Sequence, residues 1–222
     1  MTTSRKGPGR VSPPSGSFVA PAPSPVDQPL AYTNRRGDTY YLHHGRTKTG
    51  KLRYFVAKSI GAGALPKMPP GFEFTESING VVSISRTGRA AGLIPAVDLD
   101  LVRTEISRHR HLRYHAVEAR GNEIIVYEPD ERLSDKGTEM LAELSGRGPL
   151  LDRRLADIRA KTRYWPVMKF VSAGFGLPDN YVAYRMSYRG AGGWRQLSAG
   201  PLGTLVKAYV RHIGTEEFFE LL

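Results

Sequence analysis

Short segments with the composition of β-strands follow one another along most of this chain, and tight glycine turns join several of them. The segment "YYLHHGRTKTGKLRYFVA" turns back at Gly50, "FEFTESINGVVSISR" at Asn79-Gly80, and "RYHAVEARGNEIIVYEP" at Gly121-Asn122. Because so short a turn joins antiparallel neighbours, these pairs predict antiparallel sheets. Helix-length segments lie between them, so the chain is predicted to be an α+β protein.

The predicted organisation has three parts. Residues 1–31 are rich in Pro, Ser, Gly and Ala and predict a disordered N-terminal arm, because they offer little apolar surface to bury. Residues 32–92 predict a small, basic, antiparallel β-meander of about four strands. Residues 93–222 predict a larger domain of mixed helices and antiparallel strands.

Three segments of the last part place apolar residues at helical spacing. The predicted helices cover residues 98–112, residues 133–161 with a break at "GRGP", and residues 201–213. Ser134 is predicted to cap the second helix. The strands "WPVMKFVSA", "YVAYRMSYRG" and "WRQLS" lie between the second helix and the third.

Several classes of protein are excluded by what the sequence lacks. It has no cysteine, which excludes disulfides, thiolate zinc sites and thiol nucleophiles. It has no apolar stretch of the length that a signal peptide or a membrane helix needs, so we expect a cytoplasmic protein without membrane contact. The motifs GxxxxGK[ST], GxSxG and HExxH, and a GxGxxG after a strand, are also missing, and no cofactor is predicted.

The net charge of +11 indicates a polyanionic partner, with nucleic acid as the first candidate. The charge is unevenly distributed. Residues 32–59 contain seven Lys or Arg and one Asp, whereas residues 96–150 contain eight Lys or Arg and eleven Asp or Glu. Residues 151–222 are basic again, with eleven against six. Such segregation predicts dedicated anion-binding surfaces rather than a uniform cationic coat.

The hairpin that turns at Gly50 combines cations with aromatic residues, which is typical of ribbons that contact phosphates or stack on bases. The leading hypothesis is therefore non-enzymatic nucleic-acid binding, to RNA or DNA, assisted by the cations of the last third of the chain. The predicted binding residues are Arg35, Arg36, Tyr41, His43, His44, Arg46, Lys48, Lys51, Arg53 and Tyr54.

Two alternatives remain open. In a metal-independent nuclease, His43 or His44 would act as acid or base, with Arg46, Lys48 and Tyr41 beside the phosphate. In a protein-interaction module, the acidic middle of the chain and the terminal "FFELL" would dock on a protein partner.

Histidine spacing gives metal binding little support. His111 and His115 have the four-residue spacing of zinc ligands on a helix, but the predicted helix ends between them. No metal site is therefore predicted.

Overall fold

The computed structural model describes residues 28–88, 94–174, 180–187 and 192–221. These residues form three antiparallel sheets and four α-helices, which confirms the α+β class. Residues 1–27 of the predicted arm lie outside the described residues, as does the end of the predicted strand "YVAYRMSYRG" beyond Ser187.

The first part of the chain forms two small sheets. Strands β1 (Ala31–Thr33), β2 (Thr39–Arg46) and β3 (Leu52–Ala57) make one sheet, and β4 (Phe72–Glu76) pairs with β5 (Val82–Arg86) in the other. All neighbouring strands are antiparallel.

The division into two sheets differs from the single meander that the sequence predicts. After β3 the chain does not add a fourth strand; it crosses to the other edge of β2. There, His44 N–H donates to the Gly63 carbonyl at 2.9 Å and Leu65 N–H donates to the Leu42 carbonyl at 2.9 Å. Three prolines follow in "LPKMPP", and proline has no N–H for a strand ladder. A new sheet therefore begins at β4.

The two small sheets pack face to face through aromatic rings. Tyr32 lies 5.1 Å from Phe74, and Tyr54 meets Phe72 edge-on at 4.9 Å, both measured between ring centroids. Side chains alternate across a strand, so Tyr54 lies on the same face as its diagonal neighbour Leu42, which is fully buried. This is the face that packs against the β4–β5 sheet.

The second part is built on a five-stranded antiparallel sheet with four helices. The elements in chain order are α1 (Ala96–Arg108), β6 (Ala116–Arg120), β7 (Glu123–Pro129), α2 (Asp135–Ser145), α3 (Pro149–Lys161), β8 (Tyr164–Ser172), β9 (Asn180–Met186), β10 (Trp194–Pro201) and α4 (Leu202–Tyr209). The order of the strands in the sheet is β10-β9-β8-β7-β6.

One face of this sheet carries the main core. Alternate residues of the central strands, such as Ile124, Met168 and Ala183, face α1 and α4, which contribute Val102 and Val206. Every residue in this core cluster lies between residues 94 and 221. The larger part of the molecule therefore has a core of its own.

The helices agree with the sequence except at their ends. Helix α1 ends at Arg108, because His109 adopts an extended conformation, and residues 110–112 form a separate 3-10 turn. The break at "GRGP" is confirmed, with Gly146 and Gly148 both at positive φ. Ser134 Oγ accepts the Gly137 N–H at 3.0 Å, which confirms the predicted cap.

A short junction connects the two parts. The Asn79 side chain donates to the Tyr164 carbonyl at 2.9 Å and accepts the Tyr164 N–H at 2.8 Å. This reciprocal pair imitates a rung of a strand ladder and joins the turn between β4 and β5 to the start of β8.

Candidate nucleic-acid interface

The β2–β3 hairpin ends in a turn surrounded by four exposed cations. Gly50 N–H donates to the Thr47 carbonyl at 2.9 Å, and Thr47 N–H donates to the Lys51 carbonyl at 2.8 Å. Gly50 has a φ of 78°, the positive value that such a turn requires. We call the following four residues the tip cations: Arg46, Lys48, Lys51 and Arg53.

The tip cations point to both faces of the ribbon and carry uncompensated charge. Arg46 pairs with Leu52 and Arg53 with Gly45, so the two arginines lie on opposite faces. Arg46 donates to the Gly50 carbonyl at 2.9 Å, and the Arg53 guanidinium lies 5.0 Å above the Phe55 ring. No ion pair in the described part of the chain involves a tip cation.

The aromatic residues of the hairpin are largely occupied by internal contacts. Tyr54 packs against Phe72 between the two small sheets. Phe55 lies between Arg53 and the His43 ring, whose centroid is 5.4 Å away. Tyr41 is half-buried. The hairpin therefore offers cations to a ligand more readily than it offers ring faces.

The two adjacent histidines do not converge. Only 3% of His43 is exposed. Its Nδ1 lies 2.9 Å from the Tyr41 carbonyl, and its Nε2 accepts the Gly61 N–H at 3.3 Å, so the neutral Nδ1–H tautomer satisfies both contacts. His44 is exposed on the opposite face of β2. This arrangement does not support the acid and base pair that a nuclease needs.

Arg35 and Arg36 lie at the other end of β2, away from the tip. Eight residues of β2 separate the two ends, or about 27 Å at the usual strand rise. The Arg35 side chain donates to the carbonyls of Ile78, Arg159, Ala160 and Thr162, which places its charge at the C-terminal end of α3. The part of either arginine in nucleic-acid binding stays a prediction.

A second basic site, which the sequence did not suggest, lies beside Arg35. A cavity of about 650 Å³ is lined by Arg35, Arg113, Tyr114, His115, Leu133, Arg159 and Tyr164, and we call it the arginine pocket. These residues come from the β1–β2 turn, the segment before β6, the turn before α2, α3 and the start of β8. No local motif announces them, because only the tertiary fold brings them together.

A second cavity among the described residues has the opposite character. It measures about 930 Å³ and combines carboxylates with apolar side chains. Its acidic lining residues are Glu128, Asp130, Glu131 and Glu216, and its aromatic ones are Trp165, Phe218 and Phe219. The buried Arg185 fixes its wall by donating to the carbonyls of Phe219 at 2.7 Å and Leu221 at 3.0 Å. We call this cavity the acidic cleft.

No three His, Asp or Glu side chains of the described residues gather as a metal site. No helix in the described ranges has the length and hydropathy to cross a membrane.

Comparison of the chain with family models, with curated proteins and with solved structures finds no match.

Proposed function

We propose that this protein binds nucleic acid through the tip of the β2–β3 hairpin. The observation that supports this function is the uncompensated charge of the four tip cations, which are exposed on both faces of a two-stranded ribbon. A ribbon of this kind fits the major groove of duplex DNA, where cations on its two faces can contact phosphates of both strands.

The expected binding mode is electrostatic. Lys and Arg that contact phosphates supply affinity without reading the sequence, and the release of counterions makes such binding depend steeply on salt. Because Tyr54 and Phe55 are held in internal contacts, stacking on unpaired bases contributes little. We therefore expect weak sequence preference. We also expect the affinity for duplex DNA to be at least as high as the affinity for single-stranded DNA.

The decisive experiment measures affinity for a duplex and for a single strand of the same length at several salt concentrations. We expect log K to fall with log[salt] with a slope of about −3 to −4 for the duplex, if each tip cation contacts one phosphate. Replacing all four tip cations by alanine reduces the slope to near zero and weakens binding by at least roughly tenfold at low salt.

A second variant controls for net charge. Arg103, Arg108, Arg120 and Lys136 are exposed, and all four lie in the acidic middle of the chain. Replacing them by alanine removes the same charge elsewhere, and we expect the slope of the wild type to be retained. Equal losses in the two variants would show that only the net charge matters and would remove the hairpin from the proposal.

A second candidate function is supported by the acidic cleft. The sequence suggests the acidic middle of the chain and the terminal "FFELL" as a docking surface, and parts of both line this cavity: Glu128, Asp130 and Glu131 from the first, Phe218 and Phe219 from the second. Trp165 is 59% exposed beside them. Carboxylates next to exposed aromatic rings suit a basic peptide that carries an apolar side chain, by charge complementarity and cation–π contact. The partner would be a protein with such a segment.

Peptide binding can be measured by the fluorescence of Trp165. A short peptide with arginines around a leucine is expected to give a saturable signal, and the same peptide with glutamates in place of arginines is expected to give none. The double variant E131Q/E216Q weakens binding, whereas E139Q/E143Q on α2, where both carboxylates are exposed, does not. Equal effects of the two variants would argue against the cleft.

A further inference from the structure

We propose that the arginine pocket binds the phosphate group of a small phosphate monoester. The pocket lies at the end of β2 opposite the hairpin tip, so this site is separate from the proposed nucleic-acid surface. Its cavity of about 650 Å³ falls within the range of small-molecule sites.

The three arginines of the pocket differ in how their charge is used. The Arg35 side chain is fixed by carbonyls at the end of α3, and the Arg113 guanidinium lies 2.8 Å from an Asp135 carboxylate oxygen. Arg159 is exposed, and no ion pair among the described residues involves it. Arg35 and Arg113 are thus held in place by the protein and add positive potential at the pocket, and Arg159 supplies the charge that a bound anion can neutralise.

His115 gives independent evidence for a ligand. Both of its ring nitrogens are buried and neither makes a well-formed hydrogen bond in the described part of the chain, although the Leu112 backbone is close enough to offset part of the effect of burial on the pKa of the ring. Burial lowers the pKa of its imidazole to about 4, and the nearby His111 adds to this effect, so the ring is neutral at pH 7. A neutral imidazole has one N–H donor and one acceptor, and buried groups of this kind are rarely left unpaired. A phosphate oxygen in the pocket would accept the His115 N–H.

The charge of the pocket favours a phosphate monoester. A monoester offers three free oxygens and up to two negative charges to a site lined by three arginines, whereas a phosphodiester offers two free oxygens and one charge. Tyr114 and Tyr164 line the same cavity and offer ring surface to the organic part of the ligand. The same chemistry occurs in a free phosphate ester and at the 5′-phosphorylated end of a nucleic acid.

Calorimetry and the NMR signals of the His115 ring test this site in the full chain. Inorganic phosphate and a nucleoside 5′-monophosphate should bind saturably and shift the His115 signals, and the unphosphorylated nucleoside should do neither. Arg159→Ala should weaken binding by at least roughly tenfold. Arg153→Ala removes an exposed arginine from the same helix and should change affinity by less than about twofold.

The source of the phosphate is distinguished with oligonucleotides that carry a 5′-phosphate or a 5′-hydroxyl. The protein without tip cations is used, so that the hairpin does not contribute. Tighter binding of the 5′-phosphorylated strand than of the nucleoside monophosphate would assign the pocket to nucleic-acid ends, and equal binding would assign it to free esters. The proposal is overturned if no phosphate probe binds saturably, or if Arg153→Ala and Arg159→Ala weaken binding equally. A failed hairpin experiment would leave this result unaffected.

Discussion

At the scale of single residues, Arg35 shows how a cation that belongs to a basic segment of the sequence can serve the fold. Its guanidinium donates to the carbonyls of Arg159 at 2.5 Å, Ala160 at 3.2 Å and Thr162 at 3.3 Å, at the end of α3. Those carbonyls have no partner within the helix, and the helix dipole makes them electronegative. The ring of Tyr164, 5.2 Å away, completes the site.

We therefore predict that Arg35→Ala lowers the free energy of unfolding by about 2 kcal/mol, since several carbonyls, most of them part-buried, lose a charged donor. Arg35→Lys recovers only part of this loss, because one ammonium cannot match the planar fork. Urea unfolding measures both, with the exposed Arg86→Ala as the control. Unchanged stability together with weaker DNA binding would instead make Arg35 a nucleic-acid contact.

His115 makes a second prediction at this scale, concerning pH. Its folded-state pKa of about 4 lies below the ordinary histidine value of 6.5, so between these values only the unfolded chain takes up the proton. Stability should therefore fall as the pH drops from about 6.5 to about 4. Relative to His115→Gln, the wild type should lose about 2 kcal/mol between pH 7.5 and pH 4.5 in urea unfolding. Parallel pH profiles would contradict the low pKa.

At the scale of elements, the turns and caps could be predicted from the sequence, whereas the long-range contacts of side chains could not. The turns at Gly50 and Gly80 and the cap at Ser134 involve backbone groups within a few residues, so local composition is enough to identify them. Arg35 acts on residues more than 120 positions away. The arginine pocket likewise combines distant segments, and only the folded chain reveals it.

Helix α2 provides a prediction in which local geometry reverses a general propensity. Glycine to alanine inside a helix normally stabilises by up to about 1 kcal/mol. At Gly137, however, a Cβ would lie 2.7 Å from the Arg132 carbonyl oxygen and 2.8 Å from that of Glu131. We expect Gly137→Ala to lower the melting temperature and to cost about 1–3 kcal/mol, because backbone must move.

Gly203 in α4 is the matched control for this substitution. There a Cβ would lie 3.9 Å from Leu101 Cδ1, an ordinary van der Waals contact. Gly203→Ala should leave the melting temperature unchanged or raise it. A destabilised Gly203→Ala alongside a stable Gly137→Ala would refute the steric argument for α2.

At the scale of the whole molecule, the two parts are unequal in their capacity to stand alone. The core cluster lies entirely between residues 94 and 221, around the five-stranded sheet. In the first part, only two of the described hydrophobic residues are buried, Leu42 and Val82. Sheets this small need further packing to be stable. The first part should therefore depend on its junction with the second.

The Asn79 contact tests this dependence. Asn79→Ala removes both hydrogen bonds to the Tyr164 backbone, at about 1 kcal/mol each, so amide exchange in β1 to β5 should become roughly 30-fold faster. Exchange in β7 and in the centre of β8 should not change, because their core does not include the junction.

Asn122→Ala serves as the control, since its side chain makes only a 3.5 Å contact with the Ser172 carbonyl in an exposed turn. Equal acceleration across all ten strands would show that the two parts unfold as one cooperative unit, and unchanged exchange in β1 to β5 would show that the small sheets hold without the Asn79 contact.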